Sequence, residues 1–403
     1  MMQSLRRIFG IATPPLEARH RPSGLNSQFN GDRLTFAEYV KLNRDMLLRV
    51  RAKPGVADLQ RIVDGNAPFV VKPPAGSPPG QQKPYRRGVL LTHGLTGSPY
   101  FMRHLADFFQ ENGFLVMAVL LPGHGTQPGD LLDIRWQEWA KTVAYGTHKL
   151  AEEVDEIYLA GYSMGGTLSA YHSLRDVRVR GLFLFSPAIR ITTRAAFANI
   201  YKLFAWMIPA AKWVDIMPDR DIYKYESFTK NAAAQTYALT RELRTQLRQG
   251  GLDIPVFTAA SVDDATVNSS ATVEFMARAR HPASKLVLYT TEPKKVPPGM
   301  PPERLELVNS AVPAQKILSS SHVATIVPAD DEHYGAHGEY SNCIHYYPDD
   351  MEKYVACMHN PATIFQGEIT EENLKAGILR RLMYNPDFAA LKVSMQRFID
   401  LLP

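Results

Sequence analysis

An α/β fold, with a mostly parallel central sheet and helices on both faces, is what this sequence predicts, and three observations predict it. Short apolar runs alternate with helix-compatible segments through the middle of the chain, the pattern of a parallel sheet covered on both sides. One of those runs ends in Gly161-Tyr162-Ser163-Met164-Gly165, a sharp strand-to-helix turn. The polar residues best suited to chemistry fall just after such runs, where ligands sit in open sheets of this kind.

Taken in order, the strand-like runs are Gly88 to Thr92, Leu115 to Leu121, Glu156 to Ala160, Gly181 to Phe185 and Ile254 to Ala260, with a last core strand expected around Gln315 to Leu318. Helices are expected after Met164 and from Asn268 to Arg280. Proline-rich punctuation at Lys72 to Tyr85 and at Glu292 to Pro302 reads as loops. The stretch 188–251 breaks the strand pattern with mostly helical sequence carrying Phe204, Trp206, Met207, Trp213 and Tyr225, and is expected to form a helical cap. Its aromatics either wall a binding site or fasten the cap to the body. The expected organisation is an N-terminal extension (1–85), a core in two parts (86–187 and 252–328) around the cap (188–251), and a C-terminal extension (329–403).

A chain of 403 residues with 45% hydrophobic and 21% charged residues can bury a large core and resembles ordinary globular proteins. Its net charge of +5 is small and gathers into no basic run, so nucleic acid is not implied. Arg6 and Arg7 precede too short an apolar stretch for a signal peptide, and no run is long enough to span a membrane. Leu203 to Ala211 is the longest candidate for touching lipid and is expected to be one side of a buried helix. Cys343 and Cys357 provide no disulfide framework, though one bridge between them stays open, and the default expectation is a reducing, cytoplasmic compartment. No oligomeric state is assigned.

A serine between glycines on such a turn is pushed into the open, and the helix that follows aims its positive end at the site. A serine hydroxyl is a weak nucleophile at neutral pH, so Ser163 needs a base and a carboxylate to orient that base. Asp264, with Asp263 as the alternative, ends the strand Ile254 to Ala260 and is the candidate acid; a turn and helix cap would use the same pair. His322, in Ser319-Ser320-Ser321-His322, is the candidate base. His281 follows the acid too closely to have recrossed the sheet, and His333, His337 and His345 lie past the expected turn. Backbone donors for a developing oxyanion are expected from Met164 and from Leu95 in His93-Gly94-Leu95-Thr96-Gly97, with His93 bonding its own loop. His333 and His337 stand four apart beside Asp330, Asp331 and Glu332, but Gly335 between them argues for a solvated polar loop, and no metal is expected. Lys83, Arg86 and Arg87 read as a solvated loop edge.

Together, His93-Gly94, the Pro122-Gly123-His124-Gly125 turn, Gly161 to Gly165, Asp264 with Val267-Asn268, and His322-Val323 resemble the α/β-hydrolase superfamily, in its bacterial carboxylesterase and monoacylglycerol-lipase branch. The resemblance covers roughly residues 86 to 328. It implies an α/β-hydrolase fold and a cofactor-free serine esterase acting on a small-molecule ester of short or medium acyl chain through an acyl-enzyme. The alternatives are another acyl substrate (thioester, lipid or amide) on the same residues, or a noncatalytic binding protein on the same fold.

Overall fold

The computed structural model describes residues 14–52, 55–191, 208–360 and 364–402. Twelve strands are found among them: β1 (Phe69–Val71), β2 (Tyr85–Thr92), β3 (Phe114–Val119), β4 (Val154–Tyr162), β5 (Val179–Phe185), β6 (Trp213–Asp215), β7 (Phe228–Thr229), β8 (Val256–Ser261), β9 (Lys285–Thr290), β10 (Leu305–Asn309), β11 (Phe365–Gly367) and β12 (Leu379–Arg381). The α-helices are α1 (Phe36–Arg51), α2 (Leu59–Asn66), α3 (Arg103–Glu111), α4 (Trp136–Glu153), α5 (Met164–Ser173), α6 (Lys230–Gln249), α7 (Ser269–Arg278), α8 (Met351–His359) and α9 (Phe388–Ile399).

Eight strands form one sheet in the order β1-β3-β2-β4-β5-β8-β9-β10. All its pairings are parallel except the edge pair β1–β3. The central strands are continuous apolar runs because successive side chains enter two different cores. Leu90, Leu159, Leu182 and Leu184 join Trp139 and Val143 of α4, Leu168 of α5 and Met276 of α7. Val89, Leu91, Ala160, Phe183 and Phe185 face the other way, onto Leu105 and Phe109 of α3 and Met395 and Phe398 of α9. At roughly 25 cal/mol per Å² of apolar surface, these two layers supply the main favourable term for folding. The α/β-hydrolase fold expected from the sequence is therefore present, with residues 69–71 and 388–399 contributing to the sheet and its covering layer.

The carboxyl end of the sheet differs from expectation. Gln315 to Leu318 is not a strand of the sheet: Lys316 adopts a left-handed conformation (φ 54°), and Ile317 makes only isolated bridges to Val312 and Gln366. Two strands, β9 and β10, occupy the interval instead, separated by the proline-rich loop. The edge strand β10 is only half buried, so its apolar signal is weak. Arg86 and Arg87, expected on a loop edge, begin β2 and face Glu156 at 3.2 and 3.0 Å.

Within the expected cap, the described part holds the β6–β7 hairpin and α6. Phe204, Trp206 and Met207, and the 203–207 portion of the lipid-contact candidate, lie outside the described residues, as do Arg6 and Arg7. Trp213 is buried against Leu132 and Ile216. Cys343 and Cys357 form a disulfide that closes the turn into α8. That bridge removes the ground on which a reducing compartment was expected. No helix among the described residues is long and apolar enough to cross a membrane.

Candidate active site

The order of the sheet brings the carboxyl ends of β2, β4 and β8 and the chain beyond β10 to one rim. Ser163 stands between β4 and α5 with φ 54° and ψ −117°, a region β-carbon-bearing residues rarely enter. Three backbone hydrogen bonds hold it there: Ser163 N–H donates to Phe185 O (2.9 Å), and Ser163 O accepts from Ala188 (3.1 Å) and Thr167 (3.2 Å). The flanking glycines are sterically required. A Cβ on Gly161 would meet the backbone of Gly165 at 2.3 Å, and one on Gly165 would meet Thr92 O at 2.0 Å. Strand, turn and helix can close this tightly only without those side chains.

His322 Nε2 lies 2.9 Å from Ser163 Oγ, and its Nδ1 lies 2.6 Å from Asp264 Oδ2. The second oxygen of Asp264 accepts from the N–H groups of Thr266 (2.8 Å) and Val267 (2.9 Å). Burial alone would raise this carboxyl, but the His322 ring and these donors outweigh it and hold Asp264 below the usual carboxylate range. The alternative, Asp263, points elsewhere: it accepts from Ser310 Oγ at 3.0 Å and Thr291 Oγ1 at 3.4 Å, and burial raises its carboxyl. Geometry thus selects Asp264 as the partner of His322.

Leu95 and Met164 both line the cavity of about 340 Å³ onto which Ser163 and His322 open. His93 is wholly buried: Nδ1 donates to Gly94 O at 2.9 Å and Nε2 accepts from the Leu121 N–H at 3.1 Å. Burial keeps it neutral, well below the ordinary histidine value. It clamps the Leu95 loop to the chain after β3 and has no route to the serine. His281 Nδ1 accepts from Ala283 N–H, away from the rim.

His333 was expected in a solvated loop and is instead buried, 3.2 Å from Asp221 and 3.3 Å from Glu339, among Tyr100, Tyr223 and Tyr334. Charged composition does not distinguish a solvated loop from a buried, fully bonded one. Among the described residues no group of histidine, cysteine and acidic side chains has the arrangement of a metal site.

Two residues at the site were not singled out from sequence. Glu368, 1% exposed, accepts from the His322 backbone N–H at 2.9 Å. Arg381 Nη2 donates to Glu368 Oε2 (2.9 Å) and to Thr266 Oγ1 (2.7 Å). The pair joins the histidine loop to the aspartate loop from strands β11 and β12 and the residues after them. Replacing Glu368 by Ala leaves the largely buried Arg381 guanidinium without its carboxylate and the His322 N–H without its acceptor, a loss of about 3 kcal/mol, the lower end for breaking a buried pair. The expected result is a melting temperature lowered by several degrees, with Glu368→Gln, which retains an acceptor oxygen, falling in between.

The family model described as serine aminopeptidase, S33, matches residues 83–291, just over half of the chain. The thermostable monoacylglycerol lipase of Bacillus sp. (strain H-257) is 36% identical over 109 residues, 27% of this chain and 44% of that protein. A carboxylesterase of Bacillus subtilis (strain 168) is 34% identical over 84 residues, 21% of this chain and 34% of that one. The chain thus spans less than half the length of these curated relatives. Among solved structures, one from the study of the metagenome-derived lipolytic enzymes LipS and LipT covers 56% of this chain and 87% of its own, at 22% identity and a TM-score of 0.46. By the match across residues 83–291, this chain belongs to the serine aminopeptidase S33 family of the α/β-hydrolase superfamily.

Proposed function

We propose that the chain is a serine hydrolase of carboxylic esters with short or medium acyl groups, monoacylglycerol-like esters included. The observation that carries this reading is the continuous relay from Ser163 Oγ to His322 Nε2 (2.9 Å) and from His322 Nδ1 to Asp264 (2.6 Å). Ser163 attacks the ester carbonyl while His322 takes its proton; Asp264 orients the ring and stabilises the imidazolium. The N–H groups of Leu95 and Met164 hold the oxyanion, with the positive end of α5 adding to the field. His322 then protonates the leaving alcohol, and water, activated by the same ring, releases the acid. No cofactor enters these steps.

The cavity suits a small ester. Phe101, Ala188, Ile191, Phe228 and Val267 supply apolar wall, and its volume of about 340 Å³ is at the lower end for small-molecule sites. Both named relatives, a lipase and a carboxylesterase, act on esters by their names, which favours ester over amide despite the family's description. Labelling with a fluorophosphonate followed by mass spectrometry of the digest tests the proposal. The adduct is expected on the peptide containing Ser163; a labelled residue elsewhere, or none, would overturn it.

A further inference from the structure

The cavity beside Ser163 carries more charged side chains than ester hydrolysis needs. Besides its apolar wall it is lined by two cations, Lys224 and Arg381, and by two acids, Asp215 and Glu226. Arg381 is accounted for by Glu368 and Thr266. Glu226 is accounted for as well: Oε1 accepts from Tyr340 OH (2.6 Å) and Oε2 from the Arg220 N–H (3.0 Å). Asp215 has a partner of its own. Lys224 is the exception. It is half-buried, and among the described residues no side chain or carbonyl forms a hydrogen bond or ion pair with its ammonium.

The carboxylates near enough to act on Lys224 are Asp221, Glu226 and Glu368. Each has its oxygens engaged by other donors: Asp221 by Tyr334 OH and the Tyr223 N–H, Glu226 as above, Glu368 by Arg381 and His322. Burial, together with the like charge of Arg381, draws the ammonium below the ordinary lysine range. The side chain has not been left there by a loose loop, because its backbone is anchored on both sides. Ile222 O accepts from Asn66 Nδ2 (2.9 Å), and the Tyr225 N–H donates to Thr96 O (2.9 Å). An ammonium that lines the cavity with no hydrogen-bonded counter-ion of its own is stabilised when an anionic group joins it there.

We infer that Lys224, which lines the same cavity as Arg381, receives an anionic group carried by the alcohol part of the ester, so that the preferred substrates are esters of carboxylate- or phosphate-bearing alcohols. The alcohol part is chosen over the acyl part by position. Arg381 is tied to the histidine side of the serine, through Glu368 to the His322 N–H and through Thr266 to the Asp264 loop, and His322 is the group that must protonate the departing alcohol. The inference rests on the reading of Ser163 as nucleophile.

Two nearly isosteric substrates separate charge from shape: 4-carboxyphenyl butanoate and 4-carbamoylphenyl butanoate, which differ in a carboxylate against a neutral amide. The wild-type protein is expected to favour the carboxylate in kcat/KM by about tenfold, with the ratio shrinking as salt is raised. Lys224→Met should bring the ratio to about one or below, and Lys224→Arg should restore the preference. Equal use of both esters by the wild type, or a ratio that Lys224→Met leaves intact, overturns the inference while Ser163-dependent hydrolysis stands. Hydrolysis of neither ester, without fluorophosphonate labelling, overturns the esterase reading and this inference with it.

Discussion

Ser163→Ala is expected to lower kcat for p-nitrophenyl butanoate by about a millionfold, the order of loss when the nucleophile of such a triad is deleted. The folded protein should survive the change. Alanine keeps the Cβ that the turn already accommodates, and the bonds holding residue 163 at φ 54° come from its backbone, not from its hydroxyl. The one side-chain bond lost is that to His322 Nε2 at 2.9 Å, worth about 1 kcal/mol net. An unchanged melting curve together with lost turnover would therefore isolate chemistry from folding. Turnover that persists near the wild-type rate would remove Ser163 as nucleophile, whatever its geometry.

The parts of this site that could be read from sequence are those imposed by local sterics or by chain order. Gly161 and Gly165 announce Ser163 because nothing larger fits against Thr92 and the helix backbone, a constraint confined to five consecutive residues. Asp264 was reachable because it follows β8 on that rim and a serine needs an acid and a histidine in that order; His322 was placed after a strand at Gln315 to Leu318 that the structure lacks, and it reaches the rim on the chain beyond β10 instead. The choice between Asp264 and Asp263 was not reachable: adjacent residues on a turn point to different neighbours, and only the positions of His322, Ser310 and Thr291 separate them. β10 was missed because an edge strand covered on one side has mixed polarity. Glu368 and Arg381 carry no local signal at all. Their role exists only through tertiary contact, since a carboxylate bound to a distant backbone N–H follows no spacing rule.

The two adjacent aspartates supply the second large effect, because the structure predicts opposite behaviour for them. Asp264→Asn preserves shape but can present an amide N–H toward His322 Nδ1, or favour the tautomer that leaves Nε2 protonated and unable to take the serine proton. Loss of kcat by about ten-thousandfold is the expected scale. Asp263→Asn faces Ser310 and Thr291 rather than the ring, so kcat should change only a few-fold. Stability should divide the same way. The Asp264 carboxyl is depressed by His322 and by the Thr266 and Val267 N–H groups in spite of burial, so its contribution is present above the unfolded value of about 3.9 and is lost as pH falls through the depressed one. The Asp263 carboxyl is raised by burial, so its ionisation opposes folding as pH climbs above about 3.9. Melting at neutral pH should accordingly fall for Asp264→Asn and hold or rise for Asp263→Asn, and the deficit of Asp264→Asn should narrow in acid. If Asp263→Asn instead lost turnover to the same extent, the carboxylate serving His322 in solution would not be the one that the 2.6 Å contact selects.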